Sequence, residues 1–260
     1  MKDKSIDTDQ YTVGKVLGIW VLATLPMGLN IWVITPWLIP RVAMPPGFIY
    51  LILATASLVW QGVLCLLIVR REVRPLTWTG VKARLWLNAP LHPVSNAPAI
   101  NRLWLTVPIA LFLWAWDDIG IFSTLDQRWI EAIPFFAPPD YAQIRNLAAI
   151  VEGQWWLLVV ILVLIVFNYL LGEELLFRGI LLPKMNGAFG RFDWIANGVL
   201  FALYHVHMIW QLPSQILFRD WVYAWVGKRY RSFWMPAIVH GFDAIFLLLL
   251  VPMAIMGRYP

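Results

Sequence analysis

Eighteen residues from Gln154 to Leu171 carry one clearly polar side chain, Asn168, after the opening glutamine. An apolar run of about 20 residues is what a helix needs to cross a bilayer. This one does not end in a loop. It continues into Gly172-Glu173-Glu174-Leu175-Leu176-Phe177-Arg178-Gly179, so two carboxylates and a guanidinium sit at the end of a lipid-soluble helix. Each such charge costs roughly 2.5–3.5 kcal/mol to insert at a helix centre. Groups placed there at that cost line a protein interior and, by default, carry function.

The rest of the chain has the same character. Of 260 residues, 60% are hydrophobic and 13% charged, against about 25% charged in soluble domains. The expected fold class is therefore all-α, a polytopic membrane helix bundle of about seven spans in one structural domain, with its polar site inside the membrane. A single cysteine, Cys65, rules out disulfides within the chain and any cysteine-based metal site. Met1 to Thr12 is polar. The apolar run that follows is too long for a signal-peptide core and lacks a small-residue cleavage pattern, so it reads as a retained first span.

The spans expected from hydropathy are Val16 to Pro40, Phe48 to Val69, Leu103 to Trp116, Ile150 to about Pro183, Phe192 to Trp210, Ser214 to Val226, and Phe233 to Met256. Glu72 to Arg102 reads as a loop with a short interfacial helix around Trp78, Val81, Leu85 and Trp86. Ser214 to Val226 is too short to cross upright, so it tilts or is partly re-entrant. Threading seven spans sorts the twenty Lys and Arg residues. Fifteen fall on the side of the N-terminus, among them Lys2, Lys4, Arg70, Arg71, Arg74, Lys184, Arg191 and Lys228. Four fall on the other side, Arg41, Arg128, Arg145 and Arg258, with Arg219 inside a segment. This bias places the N-terminus in the cytoplasm, most simply in the plasma (inner) membrane. The basic residues thus explain topology and give no argument for nucleic acid.

Beyond Glu173 and Glu174, the ionisable groups within spans are His205, His207, Arg219, Asp220, His240 and Asp243. At about 1.5 Å per residue, Glu173 lies about 16 Å from Lys184, His205 about 21 Å from Arg191 and His240 about 13 Å from Arg231. Three spans thus bring an acid and two imidazoles to one slab, as a shared site requires. Glu174 and Arg178 are four apart, share a helix face and pair, a supporting structural role. Glu173 points about 100° away and has no partner on its own helix, which suits a general base. Taken singly, His205 and His240 read as interhelical hydrogen-bond glue; together with Glu173 at one depth they read as functional. His207 reads as structural. Asp117, Asp118 and Glu152 fall near the outer interface and receive no role.

Glu173-Glu174-x-x-x-Arg178 followed by Gly179, then Phe201-x-x-x-His205, then a late His240 resemble the three motifs of the CAAX prenyl protease and bacteriocin-processing family of intramembrane proteases, also called CPBP or Abi. The resemblance covers roughly Leu170 to Phe246. It implies a core over residues 150–256, preceded by spans without recognisable motif over 1–149. It also implies an endopeptidase whose membrane cavity opens to the cytosolic side and trims a membrane-associated protein or peptide near its C-terminus or leader. On the family pattern Glu173 with His205 activates a water, and His240 with its helical neighbour stabilises the oxyanion. The family's usual Asn four residues after His240 is Ala244 here. Asp243 takes its place, and the expectation is that it accepts from His240 and holds that ring as a donor. No cofactor is favoured; the alternative is a zinc ion held by Glu173, His205 and His240. The rival from another class is a non-catalytic binding, immunity or scaffold protein with the same polar cluster.

Overall fold

The computed structural model describes residues 10–258 apart from 118–119, 144–145 and 147–149. Lys2, Lys4, Asp118 and Arg145 of the charge map lie outside the described residues. The described chain is helical, without strands; one isolated bridge joins Leu91 to Pro98. Among the described residues, four helices are long and apolar enough to cross a membrane: α1 (Val13–Leu38), α2 (Pro46–Glu72), α6 (Leu157–Lys184) and α9 (Trp234–Ile255). A fifth forms if α4 (Ile100–Asp117) and α5 (Ile121–Ala132), inclined by 50°, count as one bent span. Between α2 and α4 lies α3 (Trp78–Arg84), the short interfacial helix. The chain is an integral membrane protein with an all-α bundle fold.

The expected fifth and sixth spans are not continuous helices. They are replaced by α7 (Asp193–Tyr204, 12 residues), short turns from Val206 to Arg219, and α8 (Asp220–Tyr230, 11 residues). Neither helix crosses alone. The break falls at His205, which leaves helical geometry at ψ 38°. Broken backbone at membrane depth is tolerated where it is buried in protein or lines a water-filled cavity. The fourth span also starts later than expected, at Leu157.

One end of the bundle is tied together by α3. Arg84 donates from Nε to Glu72 at 2.8 Å and from its terminal nitrogens to the carbonyls of Gly179 (3.1 Å) and Ile180 (3.0 Å). Lys15 pairs with Glu72 at 2.9 Å, and the Tyr11 amide donates to the Lys184 carbonyl at 2.9 Å. The start of α1, the end of α2 and the end of α6 therefore share one level, which we call the basic end. From there the Trp20 indole donates to the Leu200 carbonyl and the Trp32 indole to the Val206 carbonyl, each at 2.7 Å. Trp32 is about 18 Å farther along α1 than Trp20. The turns after α7 thus lie at the far end of the bundle.

Candidate active site

Glu173 is placed by a break in α6. The helix widens to π geometry over Phe167–Leu171 and again over Leu175–Leu181, with Gly172 between. Single π turns inside α-helices recur at functional sites because they re-aim side chains. Gly172 is required by close approach: a Cβ there would stand 2.4 Å from the Phe167 carbonyl oxygen and 2.8 Å from that of Leu58 on α2. Opposite it, a Cβ on Gly62 would stand 2.6 Å from the Phe167 ring. This glycine contact presses α6 onto α2 and fixes the height of Glu173, which is 1% exposed.

The carboxylate of Glu173 faces the Asn168 amide nitrogen, 3.1 Å from Oε2 and 3.0 Å from Oε1. The reverse amide orientation would set oxygen against oxygen. Asn168 is the lone polar residue of the apolar run, and the expectation that Glu173 has no partner on its own helix is corrected by it. The π turn shortens the angular path between positions 168 and 173, which ordinary helical spacing would not align.

Glu174 and Arg178, both fully buried, meet at 3.0 Å through Oε1 and Nη1. The same Oε1 lies 3.0 Å from Nδ1 of His240. A carboxylate oxygen only accepts, so Nδ1 carries the hydrogen. The ring is further clamped by Tyr223, stacked at 4.7 Å between centroids, and by the edge of Tyr169 at 4.8 Å. Arg178 also donates to the Asp220 carbonyl at 3.2 Å, and its guanidinium carbon lies 4.0 Å over the Phe201 ring centroid. The Phe201 carbonyl in turn stands 2.8 Å from Nδ1 of His205. A carbonyl only accepts, so His205 also carries its hydrogen on Nδ1 and, when neutral, keeps the lone pair on Nε2. Motif residues from α6, α7 and α9 thus form one connected network.

Asp243 is not part of that hold on His240, which corrects the expectation. Its Oδ1 accepts from the Trp114 indole at 2.9 Å, and its Oδ2 is hydrogen-bonded to Arg219. Arg219 also pairs with Asp117 at 2.9 Å and reaches the Tyr223 hydroxyl at 3.1 Å. Nδ1 of His240 is already taken by Glu174, and α9 is interrupted between Gly241 and Ala244, turning Asp243 toward α4. Asp117 and Arg219, given no role from sequence, are therefore members of the cluster.

Glu173, His205 and His240 line one cavity of about 360 Å³, together with Asn168, Tyr169, Asp220, Tyr223, Arg219 and Asp243. His207 lines it too. Two residues apart on a helix, His205 and His207 would diverge. Helix α7 ends at Tyr204, so both rings turn inward, 5.5 Å apart and stacked. Among the described residues no three His, Cys, Asp or Glu side chains are grouped closely enough to hold a metal ion. The ligand set Glu173, His205 and His240 does not fit zinc in this arrangement.

Toward the basic end the cavity is lined by Phe201 and Tyr223. Residues Leu175 to Leu182 are all buried. The lining also extends the other way, from Glu173 to Tyr169 and Asn168, from His205 to Gln211, and from His240 to Asp243, reaching Ser123, Asp126 and Ser214. Asp126 ties α5 across this mouth, accepting from the Ser214 amide at 3.0 Å and its hydroxyl at 2.8 Å. Ser123 and Gln211 at the rim are exposed.

Residues 154–246 match a family model described as type II CAAX prenyl endopeptidase Rce1-like. No curated protein and no solved structure matches the chain. The matched segment contains all three motifs and the cavity residues Glu173, His205, His207, Arg219, Asp220, His240 and Asp243, with Asp117 outside it.

Proposed function

We propose that this integral membrane protein, a CPBP-type intramembrane protease of the general CAAX endopeptidase kind, hydrolyses a peptide bond with a water activated by Glu173 and His205. The substrate is a segment near the C-terminus or leader of a membrane-associated protein. The observation that carries the reading is convergence: an acid and two imidazoles from three elements face one polar cavity inside an apolar bundle. The C-terminal core over 150–256 carries the chemistry, and the preceding spans support it.

In this reaction the water is held between Glu173 and the Nε2 lone pair of His205. Its oxygen adds to the peptide carbonyl carbon as Glu173 takes the proton. The carbonyl oxygen becomes an oxyanion facing His240. Because Nδ1 of His240 donates to Glu174, a hydrogen on Nε2 makes the ring an imidazolium, and the Glu174 carboxylate supports that charge. Donation from Nε2 stabilises the oxyanion. The C–N bond then breaks as Glu173 returns the proton to the leaving nitrogen, giving a carboxylic acid and an amine, and the acid's proton then passes to the amine to leave a carboxylate and an ammonium. Arg178 and Glu174 are positioning residues: the first holds Phe201 and Glu174, the second holds His240. Asp243 acts through Arg219 and touches no reacting atom.

The test compares membranes of cells making the parent chain with those making Glu173→Gln. The expected result is one or more membrane-bound polypeptides that keep a terminal segment only in the variant, at equal protein level. Loss of the general base lowers turnover by about 10²–10⁴. Identical peptide populations in the two strains, with both proteins folded, would remove the hydrolase reading and leave a binding protein.

A further inference from the structure

We infer that the basic end carries a binding site for one anionic phospholipid, with its phosphate in a cationic pocket and an acyl chain in the apolar groove beside it. Neither the pocket nor the groove shares a lining residue with the cavity that holds Glu173. The inference therefore goes beyond the hydrolase reading and does not depend on it.

Two segments distant in sequence build the pocket. The stretch after α3 folds back on itself: Leu91 forms a bridge with Pro98, the Asn96 amide donates to the His92 carbonyl at 2.9 Å, and the Ala99 amide donates to the Pro90 carbonyl at 2.7 Å. This stretch is then clamped onto the end of α8. The Leu91 amide donates to the Tyr230 carbonyl at 2.8 Å, the Asn88 side chain to the Arg231 carbonyl at 3.0 Å, and the Ser232 hydroxyl to the Asn88 carbonyl at 2.7 Å. The Phe233 amide reaches the Trp86 carbonyl at 2.9 Å, so the end of α8 sits beside α3 at the basic end. Helix α8 stops at Arg231, which is left-handed at φ 44°.

The groups so gathered are donors. His92, Asn96, Lys228, Arg229 and Arg231 line a pocket of about 230 Å³, and no carboxylate is among its lining residues. The backbone amides of Val94 and Ser95 both donate to Nδ1 of His92 at 3.3 Å, which leaves the ring hydrogen on Nε2. Lys228 is paired with Asp193. Among the described residues, Arg229 and Arg231 form no ion pair, and both are exposed. Two guanidiniums without a carboxylate, with further N–H donors around them, match the several oxygens of a phosphate, which Arg meets with two parallel hydrogen bonds. An anion also relieves the repulsion between like charges held this close.

The neighbouring groove says which phosphate. Both walls of the pocket lead directly into spans: the folded stretch continues into α4 at Ile100, and Arg231 is followed by α9 at Trp234. Between those two helices runs a groove of about 530 Å³ lined by Ile100, Leu103, Trp104, Val107, Ile238 and Phe242, with Asn101 and Thr106 as its polar members. The Thr106 hydroxyl is spent on the Leu103 carbonyl at 2.6 Å. Phe242 lies about 12 Å farther into the bundle than Trp234 on the rise of α9. Trp104 is 78% exposed at the mouth of the groove, where an indole suits the level of lipid headgroups. A charged head at the pocket and a chain running inward from it describe a phospholipid, and basic pockets between spans recognise anionic headgroups. A lipid held here bridges α4 and α9, the helices that carry Asp117 and His240.

Binding is read by native mass spectrometry on the purified full chain in detergent. The probes are dioleoyl phosphatidylglycerol, dioleoyl phosphatidylcholine and inorganic phosphate. The expected result is one phosphatidylglycerol retained per chain, with phosphatidylcholine bound more weakly and inorganic phosphate unable to displace the lipid at equal concentration. Arg229→Gln with Arg231→Asn removes both unpaired guanidiniums, and Asn tolerates the left-handed backbone at 231. At about fivefold per basic side chain near an anionic headgroup, affinity falls about thirtyfold. Arg70→Gln with Arg71→Gln removes the same charge from the end of α2 and should leave affinity close to the parent's. Val107→Trp fills the groove and keeps the cations; it should weaken dioleoyl phosphatidylglycerol and spare the dihexanoyl form, and this comparison decides alone if the arginine variant is not monodisperse. Equal losses in the two double variants would reduce the site to diffuse attraction and overturn the inference. Phosphatidylcholine bound as tightly, or no lipid retained by the folded parent, would do the same. Displacement by inorganic phosphate would assign the pocket to a free anion instead, and unchanged dioleoyl binding in Val107→Trp would refute the groove.

Discussion

Replacing Glu174 by Gln and Arg178 by Met, singly and together, separates a scaffold role from a role in the chemistry. Both side chains are fully buried and meet at 3.0 Å, and the shared Glu174 oxygen also takes Nδ1 of His240. A pair so completely removed from water falls under the rule for buried ions, whose desolvation is offset only while the partner is present. Either single change strands a charge and costs about 3–5 kcal/mol. The double variant strands none at this pair, and Met fills a volume close to that of Arg, so most of the loss returns. Activity follows a different rule. Glu174→Gln keeps an acceptor for Nδ1 of His240 but removes the charge that supports an imidazolium. Loss of an oxyanion donor lowers turnover by about 10²–10³. Stability is read as thermal retention of the monodisperse detergent-solubilised protein, and activity as processing of the peptide that accumulates with Glu173→Gln. The expected pattern is recovered stability with persistent loss of processing in the double variant. Processing at the parental rate in that variant would refute the argument and return Glu174 to a purely structural ion pair.

Gly172→Ala sets a Cβ against two backbone oxygens that cannot turn aside; overpacking of this kind costs about 1–3 kcal/mol, and processing should fall further than stability because Glu173 shifts with the helix. A Gly172→Ala variant with normal processing would show that the α2–α6 contact does not set the site. Asp243→Asn keeps a partner for Trp114 and leaves Arg219 paired with Asp117, so processing should drop less than tenfold, whereas complete loss would assign the Asp243 carboxylate a direct part. Dialysis against a chelator should leave processing unchanged, since among the described residues no three ligand side chains are grouped; a stoichiometric metal that disappears with His205→Ala would overturn that expectation.

Much of this molecule follows from hydropathy. The apolar runs forecast α1, α2, α6 and α9, and the Trp- and Val-bearing loop forecast α3. Motif spacing drew attention to Glu173, Glu174, Arg178, His205 and His240; the last four are joined in one network through Phe201, and Glu173 lines the same cavity as the two imidazoles. Where the reading of spacing failed, the helix it assumed was not regular. Asn168 reaches Glu173 because of a π turn, and His207 joins His205 because α7 stops between them and Phe201. Asp243 turns from His240 toward Arg219 and Trp114 because α9 is interrupted there.

Composition alone made this a membrane bundle, because so few charges over so many apolar residues leave water no surface to hold. It also chose which groups are costly, since only a few ionisable side chains interrupt those runs. Which of them touch, and which share one cavity, lay beyond it. Those answers depend on where helices break and how closely two glycines let backbones approach, and such breaks arise from contacts between distant segments that no local pattern records.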